Sequence, residues 1–368
     1  MRLSDTLKDK KLRPIAEKIE REIPVDREDG VTMLATDAIL DLGAMAHYVR
    51  LKLHGKAVYY GVNMNLNYTN VCELRCPLCA FSRDEGDKEA YLLSLDEIEA
   101  RVRQGVAAGI DEVHIVGGLN PRLKLDYFEE MLRRIKSIRV GLFVVAFTPA
   151  EYDYFTKINA IPLETVFERL IKAGVNALPG GGAEIFAPSV RKIIAPKKIT
   201  AVRWLEIMAT AHRFGLKTNA TLLYNHLETH EDIIDHLFKI RELQDKTGGF
   251  KTFVPLVFHE ANTKIKTGRR EPTGYDDIRV YATSRVVLHN VPHIKALWMY
   301  LGEKMAQVLL NFGVDDIGAT YNNEKIVHAA GAQTPDYGSE AFLRRIISNA
   351  YMTPRRTNAG YETREERT

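Results

Sequence analysis

Short β-branched or apolar segments alternate with amphipathic segments over most of this chain, and this alternation restricts the possible folds more than any other feature. The predicted strands cover residues 62–66, 112–116, 142–147, 175–178, 217–223, 252–257 and 294–299. Strands that alternate with helices form parallel sheets, because each connecting helix returns the chain to the same end of the sheet. We therefore predict an α/β fold, a (β/α)8-type or partial TIM barrel, with a doubly wound open sheet as the alternative.

Several of the connecting segments carry helix start signals. Ser94 and Glu97 have the spacing of a capping box, and Thr200 precedes another amphipathic segment. No linker of Pro, Gly and Ser interrupts the alternation, which favours one large domain with additions at both ends. We predict a helical N-terminal extension over 1–55, a barrel core over 56–315 and a helical C-terminal extension over 316–368.

Composition and charge exclude several classes of protein. The 368 residues are 45% hydrophobic and 27% charged, which is typical of a globular protein with a sizeable core. The net charge of +3 does not indicate a nucleic-acid partner. No apolar run approaches the roughly 20 residues of a membrane-spanning helix, and charges interrupt the region where a secretory signal would be continuous. We expect a cytoplasmic protein that binds neither membranes nor nucleic acids.

The three cysteines of the chain, Cys72, Cys76 and Cys79, all lie within eight residues, shortly after the first predicted strand. An odd number of cysteines in a chain expected to be cytoplasmic argues against a disulfide framework. A zinc site would need a histidine as its fourth ligand. Three thiolates on one short loop suit a cubane iron–sulfur cluster that leaves one iron open. A metal site and a redox thiol pair remain as alternatives, whereas three buried structural cysteines are the least favoured interpretation.

Three asparagines form a polar row on the first predicted strand. Asn63, Asn65 and Asn67 alternate with Met64 and Leu66, so their side chains share one face. Amides on a face that points into a barrel need hydrogen-bond partners, either from neighbouring strands or from a bound polar ligand. We take Asn65 from this row as a candidate ligand-binding residue.

Glycines follow two other predicted strands. Gly117 and Gly118 end the second strand, and Gly181 and Gly182 belong to a triplet that precedes Glu184. Glycine at a strand end either serves turn geometry or lets the backbone approach a ligand closely. A phosphate-binding loop is the alternative for the triplet, but the segment has neither a G-x-G-x-x-G fingerprint nor a Walker lysine.

Polar residues also occur at the ends of the fifth and sixth predicted strands, where a parallel barrel places its functional groups. Asn219 lies in the fifth strand, His226 follows that strand, and His259 follows the sixth. Histidine titrates near neutral pH, so His226 and His259 are candidate acid–base residues, with a structural role as the alternative for each.

The C-x3-C-x2-C spacing after the first barrel strand resembles that of radical S-adenosylmethionine (SAM) enzymes. The resemblance implies that Cys72, Cys76 and Cys79 hold a [4Fe–4S] cluster and that SAM chelates the open iron. It implies that Gly117 and Gly118 contact the methionine amino group of SAM. It also implies a small-molecule substrate and an electron donor such as flavodoxin or ferredoxin.

Two positions depart from the pattern of that family. Leu78 precedes the third cysteine, where many members have an aromatic residue, and Leu119 follows the glycine pair, where a glutamate is frequent. We expect Phe81 or backbone atoms to make the first contact and backbone carbonyls to make the second. Glu184 is expected to accept hydrogen bonds from the ribose hydroxyls. The other predicted SAM contacts are Asn65, Gly181, Gly182 and Asn219.

Longer segments narrow the resemblance to one branch of the family. Segments 68–72 and 79–81 resemble the group that contains the menaquinone futalosine-pathway enzymes and the deazaflavin synthase subunits. Six further segments are most similar to the aminofutalosine synthases: 117–121, 146–151, 180–188, 255–259, 290–296 and 310–316. Dehypoxanthine futalosine cyclase is the nearest alternative, and deazaflavin synthase is less close.

This branch implies a transferase of menaquinone biosynthesis. Its members add the 5′-deoxyadenosyl radical of SAM to 3-[(1-carboxyvinyl)oxy]benzoate and release 6-amino-6-deoxyfutalosine with loss of CO2 or bicarbonate. The two carboxylates of this aromatic substrate need cations or directed donors, and we expect Arg191, Thr148 and His259 to bind it. A non-catalytic iron–sulfur or zinc module is the alternative from another class, and the glycine loops at several strand ends argue against it.

Overall fold

The computed structural model describes residues 2–270, 272–321 and 324–362. Within these ranges the chain forms ten strands: β1 (Ala57–Gly61), β2 (Asn63–Leu66), β3 (Glu112–Ile115), β4 (Phe143–Ala146), β5 (Ala177–Leu178), β6 (Lys217–Tyr224), β7 (Phe250–Val257), β8 (His293–Ile294), β9 (Asp316–Ala319) and β10 (Thr353–Arg356). β2 to β8 form one parallel sheet in sequence order, and β10, β1 and β9 form a second parallel sheet.

Helices connect most of these strands. They are α1 (Leu3–Thr6), α2 (Arg13–Glu20), α3 (Arg27–Ala35), α4 (Ile39–His54), α5 (Leu95–Ala107), α6 (Leu125–Ile138), α7 (Pro149–Asn159), α8 (Leu163–Ala173), α9 (Pro188–Ile194), α10 (Ala201–Arg213), α11 (His230–Thr247), α12 (Gly274–Val287), α13 (Trp298–Leu301), α14 (Glu303–Leu309), α15 (Ile326–Ala329) and α16 (Glu340–Asn349). The predicted capping box at the start of α5 is confirmed, since Ser94 and Glu97 exchange side-chain and backbone hydrogen bonds. Among the described helices, none has the length and hydrophobicity that crossing a lipid bilayer requires.

The seven-stranded sheet curls into a partial barrel, as predicted, and β9 lies at its open side. Lys295, just after β8, forms a parallel bridge with Asp316 in β9. The residues after β9 reach the other edge of the sheet, because Asn63 donates its backbone N–H to Thr320 Oγ1 (3.0 Å) and accepts from the backbone of Tyr321 (2.8 Å). Side-chain and backbone contacts thus complete the ring between β8 and β2.

The prediction for the last barrel strand, 294–299, is wrong at its carboxyl end. Regular pairing with β7 stops at Ile294, and Trp298 already begins α13. The sequence stays apolar beyond Ile294 because Trp298 is buried in the short helix α13. The indole N–H of Trp298 donates to the Ala319 carbonyl (2.8 Å). A short apolar run does not by itself distinguish a buried strand from a buried helix.

The segment after residue 315, predicted as helical, contributes β9 and β10 in addition to α15 and α16. β10 carries no strand-like apolar pattern, because it is an edge strand held by backbone pairing with β1. Its Arg356 also forms ion pairs with Asp111 (2.7 Å) and Glu340 (2.8 Å). The proposed division of the chain at residues 55 and 315 stays a prediction.

The residues that follow β10 close the amino-terminal end of the barrel. Ala359 packs against Val145 and Ala177, which lie in β4 and β5. The ring of Tyr361 stacks on His293 with centroids 3.5 Å apart. The interior of the barrel is therefore covered at this end by the chain itself.

Candidate active site

A cavity of about 370 Å³ lies inside the barrel. Its middle is walled by apolar side chains such as Val254, Leu256 and Leu297, and polar groups lie at both ends. Twelve of the fourteen predicted site residues line it: Asn65, Cys72, Cys76, Cys79, Gly117, Gly118, Thr148, Gly181, Gly182, Glu184, Asn219 and His259. Because parallel strands bring their carboxyl ends together, residues that are far apart in sequence meet around this one space.

The cysteines lie on the loop between β2 and α5, at the carboxyl end of the barrel. Asn70 fixes this loop, since its amide donates to the Glu89 carbonyl (2.8 Å) and accepts from the Tyr91 backbone (2.8 Å). Cys76 is buried, whereas Cys72 and Cys79 are partly exposed. Burial raises the pKa of the Cys76 thiol.

The separation of the thiols favours a cluster over a single zinc ion. Among the described residues, the one trio of metal-binding side chains whose ligand atoms all lie within 4.8 Å of one another is His54, His293 and Asp315. The three cysteine sulfurs are therefore more widely spread. A tetrahedral zinc with Zn–S distances of about 2.3 Å would bring its sulfurs to roughly 3.8 Å. Three separated sulfur donors fit a [4Fe–4S] cluster, in which each thiolate binds a different iron.

The glycine pair after β3 packs directly beneath the cysteine loop. A Cβ on Gly118 would overlap the carbonyl oxygen of Val71 and lie 2.7 Å from its carbonyl carbon. A Cβ on Gly117 would lie 2.5 Å from the ring of Tyr68. The backbone N–H of Gly118 donates to the Thr69 carbonyl (2.9 Å), which joins the loop to β3. These glycines are therefore required for the position of the cysteine loop, in addition to any contact with a ligand.

Glu151 connects the ends of three neighbouring strands. Its carboxylate accepts hydrogen bonds from the Tyr68 hydroxyl (2.8 Å) and from the backbone N–H groups of Gly117 (3.2 Å) and Thr148 (2.6 Å). Burial raises the pKa of Glu151 to about 7. Thr148 is the N-cap of α7 and lines the cavity beside this carboxyl group.

The glycine triplet after β5 forms a tight loop beside Thr148, where a Cβ on Gly181 would lie 2.9 Å from the Thr148 methyl group. Gly182 has a φ of +89°, and a Cβ on Gly180 would lie 2.9 Å from the backbone of β6. Glu184 ends this loop with a φ of +48° and pairs with Lys198 (2.5 Å). Burial raises the pKa of Glu184, but the Lys198 ammonium outweighs burial and lowers it overall. Glu184 is therefore a charged acceptor at the cavity wall.

Arg191 does not line the cavity. Its guanidinium donates to the backbone carbonyls of Ala183, Ile185 (3.0 Å) and Gly182 (3.3 Å) in the glycine loop, and to that of Ile199 beyond α9. The structure thus places Arg191 as a support of that loop. Its guanidinium does not reach the cavity, where it was expected to bind a substrate carboxylate.

The two candidate histidines have different positions. His226 is fully buried outside the cavity, with Nε2 3.0 Å from the Leu223 carbonyl and Nδ1 accepting from the Leu227 backbone (2.7 Å). Both of its ring nitrogens are used within the loop. His259 lines the cavity, and its Nε2 lies 3.1 Å from the Tyr300 carbonyl. Burial lowers the pKa of His259, so the neutral imidazole presents Nδ1 as an acceptor.

Several polar residues of the cavity were not identified from the sequence. They are Glu112, His114, Glu151, Lys198 and Lys295. The period-two spacing of Glu112 and His114 within a strand could have indicated that both point into the barrel. Lys198 carries no comparable signal, because only the folded loop brings it to Glu184.

Comparison with known proteins agrees with this geometry. Residues 66–240 match the Radical SAM superfamily, and residues 247–368 match the CofH/MqnC C-terminal region. The aminodeoxyfutalosine synthase of Thermus thermophilus is 40% identical over 358 residues, which are 96% of this chain and 96% of that protein. This chain belongs to the radical SAM superfamily. As a radical SAM enzyme, it uses a [4Fe–4S] cluster and SAM.

Two further relatives show the range of this branch of radical SAM enzymes. The aminodeoxyfutalosine synthase of Streptomyces coelicolor is 35% identical over 96% of this chain and 94% of that protein. The 5-amino-6-(D-ribitylamino)uracil–L-tyrosine 4-hydroxyphenyl transferase of Methanopyrus kandleri is 39% identical over 86% of this chain and 87% of that protein.

Solved structures show the same fold. The FeFe-hydrogenase maturase HydG from Carboxydothermus hydrogenoformans aligns with a TM-score of 0.75 at 17% identity, over 95% of this chain and 80% of that chain. Methylornithine synthase (PylB) aligns with a TM-score of 0.74 at 15% identity, over 92% of this chain and 96% of that chain.

Proposed function

We propose that this radical SAM enzyme is an aminofutalosine synthase of menaquinone biosynthesis. It adds the 5′-deoxyadenosyl group of SAM to 3-[(1-carboxyvinyl)oxy]benzoate and gives 6-amino-6-deoxyfutalosine with loss of CO2 or bicarbonate. The observation that carries the proposal is the match to an aminodeoxyfutalosine synthase at 40% identity over 96% of both chains. That match covers 96% of this chain and therefore includes the cysteine loop.

In this proposal Cys72, Cys76 and Cys79 hold the [4Fe–4S] cluster at the mouth of the cavity. When bound, the cluster would give SAM a binding site and would supply the electron that splits SAM into methionine and the 5′-deoxyadenosyl radical. A donor such as flavodoxin or ferredoxin stays our prediction for the reductant.

The chain's own residues position SAM between two glycine loops. Gly117 and Gly118 present backbone beside the cysteine loop, where the methionine part lies in our proposal. Glu184, kept ionised by Lys198, accepts hydrogen bonds from the ribose hydroxyls. Gly181 and its neighbours let the backbone approach the nucleoside.

The closed barrel shields the 5′-deoxyadenosyl radical from competing reactions. A carbon radical reacts with nearby C–H bonds, so productive addition needs a fixed approach of the alkene and exclusion of competing groups. The apolar middle of the cavity can hold the aromatic ring, and the segment around Tyr361 covers the amino-terminal end. This arrangement keeps the acceptor between the adenosyl carbon and the bottom of the barrel.

Product analysis tests the proposal. Reconstituted protein is incubated anaerobically with dithionite, ribose-labelled SAM and 3-[(1-carboxyvinyl)oxy]benzoate, and the products are separated by mass. We expect the label in an adduct with the mass of 6-amino-6-deoxyfutalosine. Label found only in free 5′-deoxyadenosine would contradict the proposal. It would favour a hydrogen-abstracting enzyme such as dehypoxanthine futalosine cyclase.

A second candidate is supported by the 39% identity to the Methanopyrus kandleri transferase. The same assay with L-tyrosine and 5-amino-6-(D-ribitylamino)uracil separates the two activities. A coupled tyrosine–uracil product, without any adenosyl adduct from the benzoate, would establish this second function.

His259 provides a prediction about pH dependence. We expect His259→Ala to lower adduct formation by roughly 100-fold or more if the neutral imidazole positions an intermediate or accepts a proton through Nδ1. Because burial depresses its pKa, the neutral imidazole persists through neutral pH, and activity should fall only as the pH drops below that lowered pKa. His230→Ala, at an exposed position, is the control. An unchanged rate and pH profile for His259→Ala would exclude this role.

A further inference from the structure

The closed end of the cavity has a polar floor, which we define as Asn63, Glu112, His114, Asn219 and Lys295. All five residues line the cavity. Glu112 pairs in register with Asn63, so these two residues lie at the same level of the barrel, and His114 lies one inward-facing position higher. None of these residues contributes to the cysteine loop or to the glycine loops at the other end.

Two buried atoms of the polar floor have no partner among the described residues. They are Oε2 of Glu112 and Nε2 of His114. Glu112 is only 6% exposed, and the Ala359 backbone donates to its carboxyl group. A buried polar atom without a partner costs stability, which is recovered when a ligand supplies the missing hydrogen bond.

Lys295 supplies a cation at the level of the polar floor. Its ammonium lies 3.1 Å from Asp316 Oδ2. The Asp316 carboxylate also accepts from the Tyr361 hydroxyl (2.7 Å) and the Gly318 backbone (2.7 Å). A lysine has three N–H donors, and Asp316 is the one ion-pair partner of Lys295 within the described ranges. The remaining donors are available to the cavity that Lys295 lines.

A second lysine lies beside the polar floor, and burial together with Lys295 lowers the pKa of this residue, Lys251, to about 7. Lys251 is buried and donates to Asn219 Oδ1 (2.5 Å). Because that oxygen accepts from Lys251, the amide N–H2 of Asn219 is left to donate toward the cavity. Lys251 and Lys295 also lie equally far, 5.8 Å, from the Tyr361 ring.

The geometry points to a carboxylate-binding site: we infer that the polar floor binds the ring carboxylate of an aromatic acid acceptor, with Lys295 as its counter-ion and Asn219 as a second donor. The identity of that acid as 3-[(1-carboxyvinyl)oxy]benzoate rests on the proposed function. A neutral phenol or uracil would add no second anion beside Lys295, whose one ion-pair partner among the described residues is Asp316. Arg191, the cation expected from the sequence, is occupied by the glycine loop.

The length of the cavity agrees with this orientation. A strand rises about 3.3 Å per residue, so His114 lies roughly 10 Å below Gly117 along β3. One aromatic ring with its carboxylate spans most of that distance, which leaves the enol ether near the adenosyl group at the cysteine loop. The apolar residues Val254 and Leu256 lie along this middle section.

The charge states of the polar floor support an anionic ligand. Burial raises the pKa of Glu112 to about 7, against the opposing effect of Lys295 and Lys251. Burial, together with both lysines, lowers the pKa of His114 to about 4. Neutral His114 can donate a hydrogen bond from one ring nitrogen. The protonated form of Glu112 can donate a hydrogen bond from its O–H to a bound carboxylate.

Equilibrium binding of two small probes tests the inference without turnover. Reconstituted protein with SAM is titrated with 3-hydroxybenzoate and with 3-hydroxybenzamide, which has the same shape but no charge. We expect wild-type protein to bind the acid about 10- to 100-fold more tightly than the amide, as a charged hydrogen bond predicts. Equal affinities, or no detectable binding of the acid, would overturn the inference with wild-type protein alone.

Variants then assign the preference to Lys295. Lys295→Met should remove most of the preference for the acid, Lys295→Arg should keep part of it, and Lys304→Met, at an exposed position of α14, should keep all of it. A folded Lys295→Met protein that retains the full preference would also overturn the inference. If the acid is preferred but no adenosyl adduct forms, the proposed function fails while the carboxylate site stands for another aromatic acid.

Discussion

Replacing Cys72, Cys76 or Cys79 with alanine is expected to abolish SAM cleavage while the protein remains folded. Each substitution removes one of three sulfur donors, so one iron of the cluster loses its protein ligand. The cysteines lie on a loop at the mouth of the cavity and are not part of the strands that form the barrel. The measurements are the release of 5′-deoxyadenosine after reconstitution, the iron content, and thermal unfolding followed by circular dichroism.

Ser82→Ala is the matched control for these three variants. Ser82 lies on the same loop, and its hydroxyl makes only a long hydrogen bond, 3.5 Å, to the Cys79 carbonyl. We expect this variant to bind iron and cleave SAM like the wild type. Cleavage at the wild-type rate by any one of the three cysteine variants would contradict the assignment of the cluster ligands.

Gly118→Ala is expected to reduce SAM cleavage by roughly 100-fold or more. The added methyl group would overlap the Val71 carbonyl oxygen and lie 3.1 Å from Cys72 Cβ, so the cysteine loop or β3 must shift. A displacement of about 1 Å in a catalytic arrangement costs on the order of 100-fold in rate. The same change also removes the close packing between loop and strand, so we expect a lower iron content after reconstitution.

Gly141→Ala provides a control with the same chemical change. Gly141 is exposed, and a Cβ at this position meets no heavy atom within 4 Å. We expect this variant to match the wild type in iron content, SAM cleavage and melting temperature. If Gly118→Ala also behaves like the wild type, the cysteine loop does not depend on the glycine packing that the structure shows.

The sequence alone was sufficient for features that depend on neighbouring residues. The spacing of Cys72, Cys76 and Cys79 lies within one loop, and the family that it indicates is confirmed by the match of residues 66–240. The capping box of Ser94 and Glu97 spans three residues, so a local pattern predicts it. The alternation of strands with helices predicted the partial barrel, because a parallel sheet needs a crossover after each strand.

Features that depend on burial and on distant partners were decided by the tertiary structure. A sequence does not show whether the guanidinium of Arg191 faces a cavity or the carbonyls of its own loop, and folding selected the carbonyls. His226 likewise uses both ring nitrogens within its loop, whereas His259 reaches the cavity.

The same limit applies to the residues that sequence analysis missed. Lys198 meets Glu184 across 14 positions, and Lys295 is held by Asp316 in a different strand. The charge of a buried lysine or carboxyl group is set by the partner that the fold places beside it, since water no longer screens or solvates it. Sequence therefore determined the type of chemistry and the scaffold that carries it, and the closure of the barrel decided which charged groups face the cavity.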